Sequence, residues 1–217
     1  MYVRDRMSKN IVTVAKDVKI TQVLDIFASN NFHRLPIVDA QGKLIGLITE
    51  GTIQANTPSK ATSLSIHELN YLLSKTTVES IMIKKVIIIT PDRLLEEAAE
   101  VMMKHDISCL PVVEADNHLV GIITQKDVFA AFVDLLGYHD IGSRIVIEIA
   151  EDKVGLLAKI AHILAEAGVS ISHLVVYRKA TVDVVIRVAN LDGDKIAKLL
   201  TDHGYKVVNV LVNRQIN

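Results

Sequence analysis

Gly121-Ile122-Ile123-Thr124-Gln125-Lys126-Asp127 closes one apolar run and opens an amphipathic one. Residues 119–123 read as a strand, after which Val128, Phe129, Ala131, Phe132, Leu135 and Leu136 recur at helical spacing. Thr124 therefore stands at a helix start, where unpaired backbone N–H groups and the positive end of the helix dipole are presented. Two readings fit this position. Thr-x-x-Asp resembles a capping box, although Glu or Gln is the usual partner of the Thr. The same residues suit a sugar phosphate, with the hydroxyl and helix N-terminus toward phosphate and Asp127 accepting from ribose hydroxyls.

The stretch has a relative upstream. An offset of 75 residues carries Met7 to Met82, Asp17 to Asp92, Leu35-Pro36 to Leu110-Pro111, Gly46 to Gly121 and Ile48-Thr49 to Ile123-Thr124. No gap is needed, so the first part of the chain is an internal duplication. In each copy a short strand (residues 11–14 and 86–89) precedes a helix. One face of the first helix is Ile20, Val23, Leu24 and Phe27, and one face of the second is Leu95, Ala98, Ala99 and Met102. A strand, turn and strand follow, at residues 35–48 and 110–123, and then a second helix. Each copy thus reads as three strands and two helices. Asn30-Asn31 closes the first helix, because Asn tolerates the left-handed conformation. Between the copies, residues 56–65 are polar with Pro58, and Ser65-Ile66-His67-Glu68 caps a linking helix running to Lys75.

Composition narrows the classes. The chain has 217 residues, half of them hydrophobic and 23% charged, which is a globular balance with room for more than one domain. A net charge of -1 gives no electrostatic reason to expect nucleic acid. No apolar run approaches the roughly 18 residues of a membrane span, and the opening lacks a signal-peptide core, so no membrane association and a cytoplasmic location are expected. Cys109 is the single cysteine and sits in an apolar run, as a small buried hydrophobe would. The histidines show no paired ligand spacing, so no metal is expected. Nucleophile–base pairs, clustered carboxylates and a Gly-rich phosphate-transfer loop are likewise missing, which disfavours an enzyme.

Two copies of strand-helix-strand-strand-helix, each with Leu-Pro-apolar-Val followed by Gly-apolar-Ile-Thr, resemble a tandem pair of CBS domains, the Bateman module. The resemblance implies a first repeat over residues 1–55, a helical linker over 56–77 and a second repeat over 78–136. In that family the pair packs pseudo-symmetrically, binds adenine nucleotides or other adenosyl ligands in its clefts, and often dimerises. The pattern Gly-x-x-Thr-x-x-Asp is complete as Gly121, Thr124 and Asp127. By resemblance Thr124 approaches phosphate, Asp127 holds the ribose, backbone at Ile122 lines the pocket and Lys126 adds a phosphate contact. The position three before the proline, near the ligand in the family, is Ser108 in the second repeat and His33 in the first. His33 reads equally well as a partly exposed strand-start residue. With Arg34 it offers phosphate-binding groups to a second site formed with Gly46, Thr49 and Thr52. Thr52 replaces the ribose-binding Asp, and a hydroxyl cannot supply a charged bidentate acceptor, so this second site is the weaker one.

Beyond Gly137 the pattern changes. Ile145, Ile147 and Ile149 alternate with polar or smaller residues at strand period, and Leu157, Ile160, Ala161 and Leu164 mark a helix face closed by Gly168. Strands over 171–177 and 182–188, a helix carrying Ile196, Leu199 and Leu200, and a strand over 207–212 complete β-α-β-β-α-β, a ferredoxin-like order. Strand, Asp152-x-x-Gly155-Leu156-Leu157, helix and Gly168-Val169-Ser170-Ile171 resemble an ACT domain over residues 144–217, after a linker at 137–143. The resemblance implies an amino-acid effector site at Asp152, Gly155, Leu156, Ser170 and Ile171. Val154 replaces the usual Pro and Ser170 the frequent Asn, and a ligand-free ACT domain serving as a dimer interface is the alternative. The order CBS-CBS-ACT is similar to acetoin-utilisation proteins of the AcuB type.

The fold class expected is mixed α/β, a CBS pair plus an ACT domain. The function expected is a non-enzymatic sensor of AMP, ADP, ATP or S-adenosylmethionine, a homodimer with no resident cofactor. Its alternative is a ligand-independent scaffold subunit that regulates a partner enzyme of metabolism.

Overall fold

A computed structural model describes residues 1–58, 66–151, 153–178 and 181–214. The chain divides into two compact units, Met1–Val128 and Phe129–Asn217. In the first, α1 (Ile20–Asn30) is followed by β1 (Arg34–Val38), β2 (Leu44–Thr49) and α2 (Glu50–Ala55). After α3 (Ile66–Lys75) and the short α4 (Val78–Ile81), the order repeats as α5 (Leu95–His105), β3 (Cys109–Val113), β4 (Leu119–Thr124) and α6 (Gln125–Leu135), the last of which crosses the division between the units. Ser65, the expected cap of α3, lies outside the described residues.

The duplication is physical as well as textual. Gln22 Oε1 accepts from the Lys19 N–H at the start of α1, and Glu97 Oε2 accepts from the Leu94 N–H at the start of α5, 75 positions on. Both helices end on a left-handed residue, Asn31 at φ 53° and Asp106 at φ 51°. Each antiparallel pair, β1–β2 and β3–β4, shifts register at the same place, between Ile37 and Val38 and between Val112 and Val113. Val23, Phe27, Leu35, Ile37 and Ile48 make the core of the first repeat, and the expected face of α1 points into it, while Leu95, Ala98 and Met102 of the expected α5 face are buried in turn.

One expectation is corrected. Residues 11–14 and 86–89 are not strands; each contributes a single parallel bridge, Val14 to Ile37 and Ile89 to Val112. Val14 donates to the Pro36 carbonyl and accepts from the Val38 N–H, as Ile89 does with Pro111 and Val113. The next rung toward the N-terminus would need an N–H from Pro36 or Pro111, and proline has none. The Leu-Pro that marks the repeat therefore stops the ladder, leaving two strands per copy.

The bridges also show an exchange. Ser8, ahead of the first repeat, pairs with Ile122 in the second, while Ile83, ahead of the second, pairs with Leu47 in the first. Tyr2 with Leu94 and Lys19 with Thr77 form another such pair, and Lys43 with His118 joins the two turns. Every one of these contacts maps onto its partner, or onto itself, under the 75-residue offset. Gly46 and Gly121 lie beneath the exchanged segments. A Cβ on Gly46 would come within 2.6 Å of Met82 Sδ, and one on Gly121 would collide with Met7. These glycines are close-approach positions.

In the second unit, β5 (Gly142–Ile149), α7 (Leu156–Glu166), β6 (Ile171–Arg178), β7 (Val182–Val188), α8 (Gly193–Asp202) and β8 (Lys206–Asn213) form an antiparallel sheet in the order β6-β7-β5-β8. Ile145, Ile147, Val184 and Ile186 face Ile160, Leu164, Ile196 and Leu200 of the helices, as the alternation requires. This is the expected βαββαβ arrangement.

Gly121→Ala is expected to destabilise the protein by about 1–3 kcal/mol, the cost of overpacking. In a Met7→Ala background, where the obstructing side chain is gone, the same change should cost much less. Urea melts of the four proteins measure this coupling, and strictly additive costs would contradict the exchanged-segment contact.

Candidate functional site

At the junction of β4 and α6, Thr124 and Asp127 adopt the capping-box reading. Asp127 Oδ2 accepts from the Thr124 N–H at 2.8 Å and from the Thr124 hydroxyl at 2.7 Å, while the Asp127 N–H reaches Thr124 Oγ1 at 3.3 Å. This is a capping box built with Asp, and it fixes the carboxylate. One consequence revises the role implied for Thr124. Its hydroxyl has one proton, which goes to Asp127, so Thr124 cannot donate to a phosphate without releasing the carboxylate. In the first repeat Thr49 Oγ1 accepts from the Thr52 N–H at 3.0 Å and the two hydroxyls lie 2.9 Å apart, a neutral version of the same cap.

Thr124 and Asp127 line a cavity of about 600 Å³, together with Ile122, Lys126, Ser108, His33 and Arg34. The structure thus brings His33 and Arg34 of the first repeat to the Thr124 side. Sequence reasoning missed the opposite wall, made by Ser8, Asn10, Ile11 and Val12 of the exchanged N-terminal segment. The offset that predicts two equivalent segments carries no information about which repeat each one joins.

A second cavity, of about 430 Å³, follows from the first by the same offset. Thr49, Glu50 and Gly51 stand for Thr124, Gln125 and Lys126, and Ile83, Lys85 and Ile87 supply the exchanged wall. His33, Arg34 and Ser108 border both cavities. Gly46, Thr52 and Gly121 line neither cavity, although Thr52 bonds directly to Thr49 at the edge of the second. The electrostatics differ. The Thr124 cavity sets Arg34, Lys126 and His33 against Asp127. The Thr49 cavity adds Glu50 and Asp106 to its cations, and Glu50 Oε2 lies 3.1 Å from His33 Nδ1.

Arg34 occupies the partition. Its Nη1 is buried and has no hydrogen-bond partner among the described residues. It also neighbours Cys109, which is 6% exposed. Burial pushes the Cys109 thiol up from its ordinary value, while the Arg34 charge and a hydrogen bond from Arg34 pull it back. The net rise keeps the thiol protonated near neutrality, in keeping with a core residue.

The residues implied for an ACT effector fare differently. Leu156 and Ile171 pack against the helix-covered core of the second unit, and Gly155 and Ser170 are exposed. Gly155 has φ 86° with open space around its Cβ position, so its backbone conformation accounts for it. Asp152 lies outside the described residues. None of the four described residues borders the cavity of about 230 Å³ in that unit. Among the described residues no cluster of His, Cys, Asp and Glu could hold a metal ion, and no helix is long and apolar enough to cross a membrane.

Comparison with known proteins agrees with this fold. The CBS domain family matches residues 3–55 and 78–134, and the ACT domain family matches residues 143–203. An uncharacterized protein of Methanocaldococcus jannaschii is 32% identical over 155 residues, 61% of this chain and 92% of that one. A homoserine O-acetyltransferase of Methanohalobium evestigatum is 32% identical over 127 residues, 58% of this chain, but the match spans only 23% of the enzyme's length. Among solved structures, the CBS domain pair of protein MJ0100 in complex with 5'-methylthioadenosine and S-adenosyl-L-methionine is 32% identical, with TM-score 0.51 over 62% of this chain and 97% of that one. CBSX2 of Arabidopsis thaliana in complex with AMP is 25% identical, with TM-score 0.52 over 62% and 97%. A Vibrio cholerae protein provisionally assigned to acetoin utilization (AcuB) is 29% identical, with TM-score 0.53 over 63% and 93%. The repeat, its exchanged segments and these matches lead to one assignment: the chain belongs to the CBS-domain family, with a tandem CBS pair followed by an ACT domain.

Proposed function

We propose that the chain is a regulatory sensor that binds an adenosyl ligand in the cavity bordered by Thr124 and Asp127. The observation that carries this reading is the fixed Asp127 carboxylate at a cavity of about 600 Å³ whose other charged groups, Arg34, Lys126 and His33, are cationic or can become so. That volume lies within the range of about 300–1,000 Å³ usual for small-molecule sites. Asp127 keeps Oδ1 for ribose hydroxyls, and Arg34 Nη1 is the donor best placed for an anionic tail. The Thr49 cavity, with two added acids and no carboxylate at position 52, is the weaker of the two. The ligands of the MJ0100 domain pair and of CBSX2 fit the same chemistry, an adenosine with a variable 5' substituent.

Ligand binding in this reading biases one of two arrangements of a CBS-pair homodimer, and the ACT domain, with or without an amino-acid effector, passes the bias to a partner enzyme. Such coupling is typically worth about 1–3 kcal/mol. A regulatory rather than catalytic role draws support from the M. jannaschii relative, spanned over 92% of its length by a match that takes in 61% of this chain. The Vibrio cholerae likeness makes acetoin utilization a pathway to test, although it extends over 63% of this chain. The alternative, a ligand-independent scaffold, predicts an oligomer indifferent to nucleotide. Sedimentation with and without AMP separates the two.

Titration calorimetry with AMP, ADP, ATP and S-adenosylmethionine is expected to give one dominant site per chain. Asp127→Asn should weaken it by about ten- to a hundredfold, since a hydrogen bond to a charged group contributes roughly 1.5–3 kcal/mol. A melt without ligand separates this from the loss of the α6 cap. Absence of heat with all four ligands would sink the reading. Arg34→Ala should weaken AMP by about tenfold while changing 5'-methylthioadenosine, which has no phosphate, far less. Equal losses for the two ligands would remove Arg34 from the anionic end.

A further inference from the structure

The ACT sheet has one face packed against α7 and α8, and an unusual row of side chains lies on the other. Strand alternation that turns Ile145 and Ile186 to the core turns Arg144 and Arg187 away from it. The β5–β7 register sets these two arginines directly opposite each other, and the β6–β7 register sets His173 opposite Arg187. Like charges facing across a ladder destabilise a sheet. The same face shows how such a conflict is relieved elsewhere: Glu148 stands opposite Asp183, and Lys206 of β8 ion-pairs with Glu148. Among the described residues neither Arg144 nor Arg187 has an ion pair. Asp140, the nearby acid, has Oδ2 3.3 Å from His173 Nδ1, within ion-pair range though off the line of a hydrogen bond. Burial and the Arg144 charge both lower the Arg187 pKa, with Asp140 and Tyr138 offsetting part of the effect.

Both arginines and His173 border a cavity of about 230 Å³, whose remaining walls include Val133, Val175 and Val185. Val185 is 7% exposed, so it gives the cavity a buried apolar floor, while Leu136, Tyr138 and Tyr177 form more exposed sides. Paired guanidiniums over such a floor match a planar carboxylate carried on a short aliphatic group. The volume falls below the usual drug-sized range, which limits the occupant to a small metabolite. An ammonium on the same molecule would meet cations and an Asp140 already facing His173.

We propose that this cavity binds a small aliphatic carboxylic acid without an amino group, its carboxylate held between Arg144 and Arg187 and its tail on the valines. The site is separate from the adenosyl cavity and from the loop that the ACT resemblance implicates, and it does not depend on the function proposed above. The arginine pair is then tolerated for binding at a cost to the stability of the free protein.

Calorimetry and thermal melts of the full chain with 4-methyl-2-oxopentanoate, leucine and inorganic phosphate test it. The oxo acid should bind and raise the melting temperature, at least tenfold more tightly than leucine, and equimolar phosphate should not compete. Arg144→Gln and Arg187→Gln should each weaken the acid at least tenfold, leave adenosyl binding unchanged, and melt no lower than the parent when unliganded. Arg187→Lys, which keeps the charge but loses the planar fork, covers the case of a misfolded glutamine variant and should also bind more weakly. No binding of the oxo acid, equal binding of leucine, competition by phosphate, unchanged affinity in the Gln variants, or parental affinity in Arg187→Lys would each overturn the assignment.

Discussion

The first unit rests on an exchange of backbone hydrogen bonds. The Ser8 N–H donates to the Ile122 carbonyl at 2.9 Å and the Ile122 N–H returns to Ser8 at 3.0 Å, while Leu47 and Ile83 repeat the pair at 3.0 and 2.9 Å. Each repeat is a two-stranded ribbon with helices, and an isolated ribbon of that kind is marginal in water. Lending an extended segment to the other copy gives each ribbon a further partner and ties the copies together. Gly46 and Gly121 permit it, because any side chain there would occupy the space of Met82 and Met7. The same segments form one wall of each cavity, so the joining of the repeats and the existence of the cavities have a single origin.

Divergence on this symmetric frame separates the two sites chemically. Replacing Thr52 by Asp127 at the equivalent place turns a neutral hydroxyl pair into a carboxylate held by two hydrogen bonds. Replacing Gly51 and Glu50 by Lys126 and Gln125 removes an acid and adds a cation. Capping and binding are therefore compatible at Asp127: the hydrogen bonds that close the helix also set the orientation in which the second carboxylate oxygen is offered. A preoriented acceptor loses less freedom when a ligand arrives.

The second unit makes the complementary choice. Its helix-covered face is built from buried Ile, Leu and Val, while the opposite face keeps two arginines in register. A sheet face selected for stability alone would alternate signs, as Glu148 and Lys206 do. Charge conflict on one side and close packing on the other distinguish the two faces of one sheet.

Local pattern was enough to read much of this from the sequence. The 75-residue offset, the helix faces at Val23 and Phe27 and at Ala98 and Met102, the Thr124 helix start and the βαββαβ order all follow from periodicity and turn chemistry, which act over a few residues. The strands expected at residues 11–14 and 86–89 failed because a neighbouring proline, distant in sequence, withholds the donor that their ladder needs. Only tertiary structure decided that the segments cross between repeats, that His33 and Arg34 join Thr124 at one cavity, that Gly46 and Gly121 serve packing, and that Arg144 faces Arg187. The reason is the same in each case: a pattern specifies which face of an element is apolar, but the partner that covers it is chosen by packing across the whole unit.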